Sequence, residues 1–291
     1  MTTKFNLTCP DGRTLAVTKY EAGSGRQKHF IIINSALGIK QEYYQKIAHY
    51  LQKQSCTVIT WDPRGIGGSG LKNVKKDTAK LREWGSHDLE AILNYVVKQG
   101  WVQWQDIHLI GHSAGGQLVG LCPSIHRIKY LYLICSGTGN WRLYSKKQWP
   151  RMLAAWYLLV PSVLAIFGYI PARLGVGHDL PKGIAQDWRN WCLNKDYLFS
   201  DSSIKQTFFS TFEGKLHAIG FNDDVGFTPK STINDLIKRF TNAQKTLEVY
   251  HPAQLMQKKI GHFGYFKLKD ESVWTETLLK PIIEASSNNQ K

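Results

Sequence analysis

Leu109-Ile110-Gly111-His112-Ser113-Ala114-Gly115-Gly116-Gln117-Leu118 is the stretch that decides how this chain of 291 residues is read. An apolar run, Ile107 to Ile110, meets a Gly-His-Ser-Ala-Gly-Gly turn, and the residues from Gln117 to Leu121 read as a helix. Strand, sharp turn and helix put one serine at the tip, with a glycine two residues to either side. The spacing has a mechanical cause. The serine of such an elbow sits in a strained backbone conformation, and flanking side chains would collide with strand and helix. Its hydroxyl then stands clear, and the next backbone N–H, that of Ala114, faces the place where an oxyanion would form. Any Gly/Ser-rich turn can match the five-residue pattern, but the strand before it and the helix after it favour the elbow.

Composition bounds what surrounds this turn. Hydrophobic residues make up 43% and charged residues 20%, the balance of a folded globular chain. The net charge of +15 invites a nucleic-acid or membrane-surface reading. The basic residues are scattered, with the densest groups at Lys72-Asn73-Val74-Lys75-Lys76 and Lys258-Lys259. No basic helix or nucleic-acid module is visible, so a solvated basic surface is expected and a nucleic-acid partner is not. Five cysteines, Cys9, Cys56, Cys122, Cys135 and Cys192, form an odd set without a C-x-x-C pair. Cys56 and Cys135 lie in apolar strand-like runs, which suits a reducing compartment. The first residues lack the apolar core of a signal peptide, and a cytoplasmic protein is expected.

Outward from the elbow, the chain alternates strands and helices. Lys4 to Cys9 and Thr14 to Tyr20 read as a hairpin about Pro10-Asp11-Gly12. His29 to Asn34 and Cys56 to Trp61 read as buried strands, with a helix between them from about Gln41 to Gln52. A helix is expected from Ser86 to Lys98, a strand from Lys129 to Cys135, and a strand from Lys215 to Phe221. After that come a helix near Ser231 to Phe240, a strand from Thr246 to Tyr250, and a closing helix to about Ala285. This rhythm implies an α/β fold with a mostly parallel sheet covered by helices on both faces. It stops from Gly139 to Gly214. That segment is expected to be a helical insertion after the sixth strand, residues 139–214, in a core formed by 1–138 and 215–291. Met152 to Ile170 carries no charge and approaches the length of a membrane span. Pro161 and Gly168 should break it into a pair of helices with an apolar underside. Contact with a membrane surface or lipid stays open, since basic and apolar surface act together.

A serine hydroxyl is a weak nucleophile at neutral pH, so Ser113 needs a base, and the base needs an orienting acid. Both follow Ser113 in the chain, each on a loop after a strand. Asn222-Asp223-Asp224 supplies the acid. Asp224 is preferred because it lies nearer Thr228-Pro229, with Asp223 the alternative. Gly261-His262-Phe263-Gly264 supplies the base, and His112 should point away from the nucleophile. A second oxyanion donor is expected from Ser35-Ala36-Leu37-Gly38, as Leu37 or Ala36. Gly65-Ile66-Gly67-Gly68-Ser69-Gly70 fits the dinucleotide fingerprint. Asp62-Pro63-Arg64 intervenes between strand and glycines, however, and only Asp88 or Glu90 could serve as the ribose acid. No cofactor or metal is expected.

Together these motifs resemble the α/β-hydrolase superfamily over nearly the whole chain. Asp62-Pro63-Arg64-Gly65-Ile66-Gly67-Gly68-Ser69 is similar to a loop these enzymes carry ahead of the elbow. Gly137 to Arg142, Gly168 to Pro171, Leu174 to Pro181, Trp188 to Cys192 and Gly261 to Phe266 resemble a bacterial family of predicted α/β-hydrolases with a serine-aminopeptidase-like or monoglyceride-lipase-like domain. The resemblance implies a Ser113, Asp224, His262 triad beneath a cap. The function expected is cleavage of an acyl bond, a carboxylic ester of a small or apolar substrate, with the aromatic segment from Trp141 to Trp191 closing over the serine. Peptidase, amidase, thioesterase and acyltransferase chemistry use the same three groups, and a non-catalytic binding role is the alternative outside the enzymes.

Overall fold

The run His29–Asn34 is apolar without a break because it is buried on both sides. Phe30 and Ile32 pack into one hydrophobic layer, and Ile31 and Ile33 into the other, as alternation along a strand requires. Each such side chain contributes about 1.5–3 kcal/mol by leaving water. The computed structural model describes residues 1–23 and 27–287. In chain order its strands are β1 (Thr2–Thr8), β2 (Thr14–Tyr20), β3 (His29–Asn34), β4 (Cys56–Trp61), β5 (Ile107–His112), β6 (Tyr130–Ile134), β7 (Tyr169–Ile170), β8 (Leu180–Pro181), β9 (Lys215–Phe221) and β10 (Gln244–Tyr250). Eight of them form one sheet in the order β1-β2-β4-β3-β5-β6-β9-β10. β2 is antiparallel to both β1 and β4, and every later pairing is parallel. The expected α/β architecture is the one observed. All five cysteines are free and buried.

Parallel pairing brings the carboxyl ends of neighbouring strands to one edge, where open α/β sheets place their sites. Asn34 of β3 pairs with Gly111 of β5, and His112 pairs with Ile134 of β6. The loops after β3, β5, β6, β9 and β10 therefore converge on Ser113. Between β6 and β9 the chain leaves the sheet and builds helices and the small antiparallel pair β7-β8.

Four local expectations need correction. The helix after the elbow starts at once and lasts a single turn, Ala114–Gln117, followed by a 3-10 turn at Val119–Leu121. Gly120 meets the ring of Phe209, where a Cβ would lie 2.3 Å from Cγ, and Pro123 ends the stretch. Pro161 does not break the insertion helix. The backbone widens into a π turn at Ala155–Leu159 and resumes at Val160–Phe167, which relieves the carbonyl clash a proline imposes on the preceding turn. Only Gly168, left-handed at φ 78°, stops it. The helix expected at Ser86 begins at Trp84, through another π turn. His262 sits on a short helical turn, Gly261–Gly264, and not on an open loop.

Two buried histidines make stability depend on pH. Burial, with His29 adding to it, pushes His108 down to about 3, and its ring stacks on Tyr130 at 4.4 Å. Burial, with His262 adding to it, pushes His112 down to about 3. Between pH 3 and 6.5 the unfolded chain thus binds protons that the folded chain refuses, so stability falls as pH drops through that window. Asp88, raised to about 6 mainly by burial, acts in the opposite sense and offsets part of this. Going from pH 7 to pH 6 should cost about 1 kcal/mol net, or about 1.5 °C in melting temperature for a chain of this length. Scanning calorimetry at the two values checks it, and an equal or higher melting temperature at pH 6 refutes it.

Candidate active site

Ser113 has φ 51° and ψ −120°, a region non-glycine residues avoid, at a cost of order 1–3 kcal/mol. The surroundings hold it there. Its N–H donates to Ile134 O at 3.0 Å, and its carbonyl accepts from Ser136 Oγ at 3.0 Å and from the N–H groups of Gly116 and Gln117. Asn34 Nδ2, at the end of β3, donates to Gly115 O at 2.7 Å. The two flanking glycines are required by contact. A Cβ at Gly111 would lie 2.4 Å from Gly116 Cα, and one at Gly115 would lie 2.3 Å from Asn34 O. Both obstacles are backbone. Gly115→Ala is therefore expected to lose about 1–3 kcal/mol or somewhat more, as overpacking against a fixed main chain does; urea unfolding that matches the parent would contradict it.

The half-buried Ser113 hydroxyl lies 2.8 Å from His262 Nε2, and His262 Nδ1 lies 2.7 Å from Asp224 Oδ2. The structure thus brings together the three residues expected from sequence, from the ends of β5, β9 and β10. Asp224 and His262 are buried. Asp223 does something else. Its carboxylate accepts the N–H groups of Ile260 at 2.9 Å and Gly261 at 3.0 Å, and so holds the backbone that presents His262. Adjacent aspartates divide the work, one on the ring and one on its loop.

Of the two second oxyanion donors expected, Ala36 is withdrawn. Its N–H is already spent on Tyr44 Oη at 2.9 Å. Leu37 remains. Gly38 follows at φ 70°, pressed so closely by the insertion that a Cβ would lie 1.9 Å from Val176 O.

The Ala36 bond opens a relay that ties the site together. Tyr44 Oη also lies 2.9 Å from His112 Nδ1, and His112 Nε2 lies 3.0 Å from His262 O. A carbonyl only accepts, so Nε2 carries the proton and Nδ1 accepts from the tyrosine O–H. That leaves the tyrosine oxygen free to accept from Ala36. The depressed His112 pKa keeps the ring neutral, so this arrangement holds at any ordinary pH. As expected, His112 turns away from the nucleophile; what it does there is link the Ala36 loop to the His262 backbone.

Cys135 Sγ, an Asp224 oxygen and a His262 nitrogen lie within 4.8 Å of one another, a spacing three metal ligands could share. The thiol is pushed well above its ordinary range by burial, by the charges of Asp224 and Asp223, and by a hydrogen bond to Asp224. The thiol thus donates to the Asp224 carboxylate that also faces His262. Thr228 Oγ1 donates to the same Asp224 oxygen that faces His262. Phe227 stacks on the His262 ring, with centroids 4.6 Å apart and planes at 19°.

A family model described as alpha/beta hydrolase fold matches residues 28–166. DcsB, solved in complex with its substrate analogue, is similar over 98% of this chain and 99% of its own, with 16% identity and a TM-score of 0.64. Est816, described as an N-acyl homoserine lactone degrading enzyme, gives 18% identity, coverage of 95% and 99%, and a TM-score of 0.63. An esterase from Exiguobacterium antarcticum gives 14% identity, coverage of 96% and 99%, and a TM-score of 0.60. The chain has the α/β-hydrolase fold. Comparison with curated proteins finds no match.

In this α/β-hydrolase fold the glycine-rich loop after β4 closes on the protein itself. Asp62 Oδ2 accepts Gly68 N–H at 2.9 Å, Oδ1 accepts Gln41 N–H at 2.7 Å, and a Cβ at Gly67 would lie 2.3 Å from the carboxylate. An internal carboxylate occupies the place a pyrophosphate would take. Asp88, one of the two ribose-acid candidates, is paired with Arg64 Nε at 2.6 Å. Glu90, the other, receives Ser124 Oγ at 2.6 Å and its N–H at 2.9 Å.

Sequence reasoning passed over Tyr44, Cys135 and Phe227 as members of the site. Thr228, four residues after Asp224, had a signal in the Thr-Pro that follows the acid. Tyr44 had none, because it meets His112 from a helix 68 residues away in the chain.

Proposed function

We propose that the protein is a serine hydrolase that cleaves an acyl bond, a carboxylic ester of a small or apolar substrate, through an acyl-enzyme. The observation that supports this is the contiguous line from Ser113 Oγ to His262 to Asp224, at 2.8 Å and 2.7 Å. His262 Nε2 takes the proton as Ser113 Oγ bonds to the substrate carbonyl carbon. The carbonyl oxygen becomes an oxyanion, facing the N–H groups of Ala114 and Leu37. Asp224 accepts Nδ1–H and stabilises the imidazolium that forms. Collapse of the tetrahedral adduct expels the alcohol, which leaves with the proton from Nε2. Water then repeats the sequence on the acyl-serine, returning the hydroxyl and releasing the acid.

Residues 139–214 serve in this reading as a cap over the core. In support, Tyr144 Oη donates to Phe227 O at 2.5 Å and Gln148 Nε2 to Val225 O at 3.0 Å. The insertion therefore rests on the very loop that carries Asp224. Exposed Phe227 and Phe263 beside His262 favour an apolar group on the substrate. Incubation with a fluorophosphonate probe tests the mechanism. The parent protein should label at one site and Ser113→Ala should not; an unlabelled parent or a labelled variant would refute it.

A further inference from the structure

The insertion carries an apolar face that none of the described residues covers. Lys146–Phe167 is one continuous helical stretch of 22 residues, long and apolar enough by length and composition to cross a membrane, with only 22% of its apolar window buried. Trp156, Val160, Val163 and Leu164, at i, i+4, i+7 and i+8, turn inward and pack on the core. On a helix anchored this way the outer face ordinarily carries charge. Here it shows Tyr157, Leu158, Leu159 and Ile166, exposed by 59%, 67%, 56% and 72%. Among the described residues no second helix is long and apolar enough to cross a membrane.

The rim is cationic at both ends. Lys146, Lys147 and Arg151 are exposed at the amino end. At the other end Lys75, from the basic run after the glycine loop, lies against Gly168, and Arg173 sits over Phe167. No aspartate or glutamate occurs between Asp106 and Asp179. We infer that this face docks onto an anionic phospholipid surface, with Leu158, Leu159 and Ile166 in the headgroup–acyl boundary and the rim cations on lipid phosphates. The charge pattern excludes the simplest rival: two copies meeting face to face would set like charges against each other. Through Gln148 and Tyr144 the patch continues to exposed Val225 and Phe227.

This inference does not rest on the serine chemistry, and its test reads no turnover. The protein is floated on a density gradient with vesicles of phosphatidylcholine alone, or of phosphatidylcholine with phosphatidylglycerol, at low salt. It should rise with the anionic vesicles only. Leu158→Asn/Ile166→Asn should lower partitioning by roughly a hundredfold, and Lys146→Gln/Lys147→Gln/Arg151→Gln by a similar factor. All altered side chains are exposed, so melting temperatures should match the parent and serve as the folding control. Absence of the parent from the anionic fraction overturns the proposal, as do variants that float like the parent. A dimer in light scattering that Leu158→Asn/Ile166→Asn dissolves would assign the face to a second copy and overturn it too.

Discussion

Ser113→Ala is expected to lower kcat for an activated ester by roughly 10⁴–10⁶-fold while leaving KM and melting temperature close to the parent. The size follows from what each group can do alone. On the proposed mechanism, without Oγ His262 has no nucleophile to deprotonate, and the N–H groups of Ala114 and Leu37 would stabilise only an oxyanion raised by water. Those donors stay in place, because the elbow is held by the bonds of Ile134, Ser136 and Asn34, none of which involves the hydroxyl. The loss should therefore appear as turnover and not as folding. Steady-state hydrolysis of a p-nitrophenyl ester beside a thermal melt separates the two. A variant that keeps its turnover would remove Ser113 from the reaction, whatever its geometry.

Asp224→Asn and Asp223→Asn should part sharply, and the comparison is more telling than either alone. Asp224 Oδ2 accepts from both His262 Nδ1 and Thr228 Oγ1. An amide at that position has one acceptor oxygen for two donors. If its N–H₂ faces the ring, Nδ1 must accept, and the proton moves to Nε2, where the serine needs a base. A fall in kcat of about 10⁴ is expected. Asp223 touches no reacting group; it accepts two backbone N–H bonds. Asparagine keeps one oxygen there, so a stability loss of about 1–3 kcal/mol is expected, with kcat changed by less than roughly tenfold. Matched urea melts and kinetics on the pair decide it. A larger catalytic loss at Asp223 than at Asp224 would reverse the assignment.

Much of this was legible in sequence where one element carries its own signal. β3 and β5 announce themselves because double-sided burial leaves an unbroken apolar run, and Ser113 because its strained turn tolerates only glycine at the flanks. The order of acid and base along the chain could be read because each loop follows a strand. Choosing Asp224 over Asp223 rested on the Thr-Pro that follows, and Asp224 is the aspartate whose oxygen lies 2.7 Å from His262 Nδ1. Ala36 could not be separated from Leu37, because the residue that takes the Ala36 N–H, Tyr44, arrives from another helix. Cys135 looked like an apolar filler of its strand; only the packing of β6 against β9 sets its thiol beside Asp224. Pro161 failed as a breaker because the preceding turn had room to widen, a tertiary accommodation that helix propensity does not encode.

The grip of the insertion on the core bears on transplantation. Segments of this kind look like interchangeable modules, to be traded between relatives to change what a scaffold accepts. Here Tyr144 and Gln148 are stitched to the acid loop, Leu143 O takes the hydroxyl of Ser231, and Val176 lies where any side chain at position 38 would go. A graft that spliced cleanly at 139 and 214 but lacked these stitches would release the Asp224 loop and the Ser35–Gly38 loop together. In this scaffold the insertion and the loops around Ser113 are held by the same contacts.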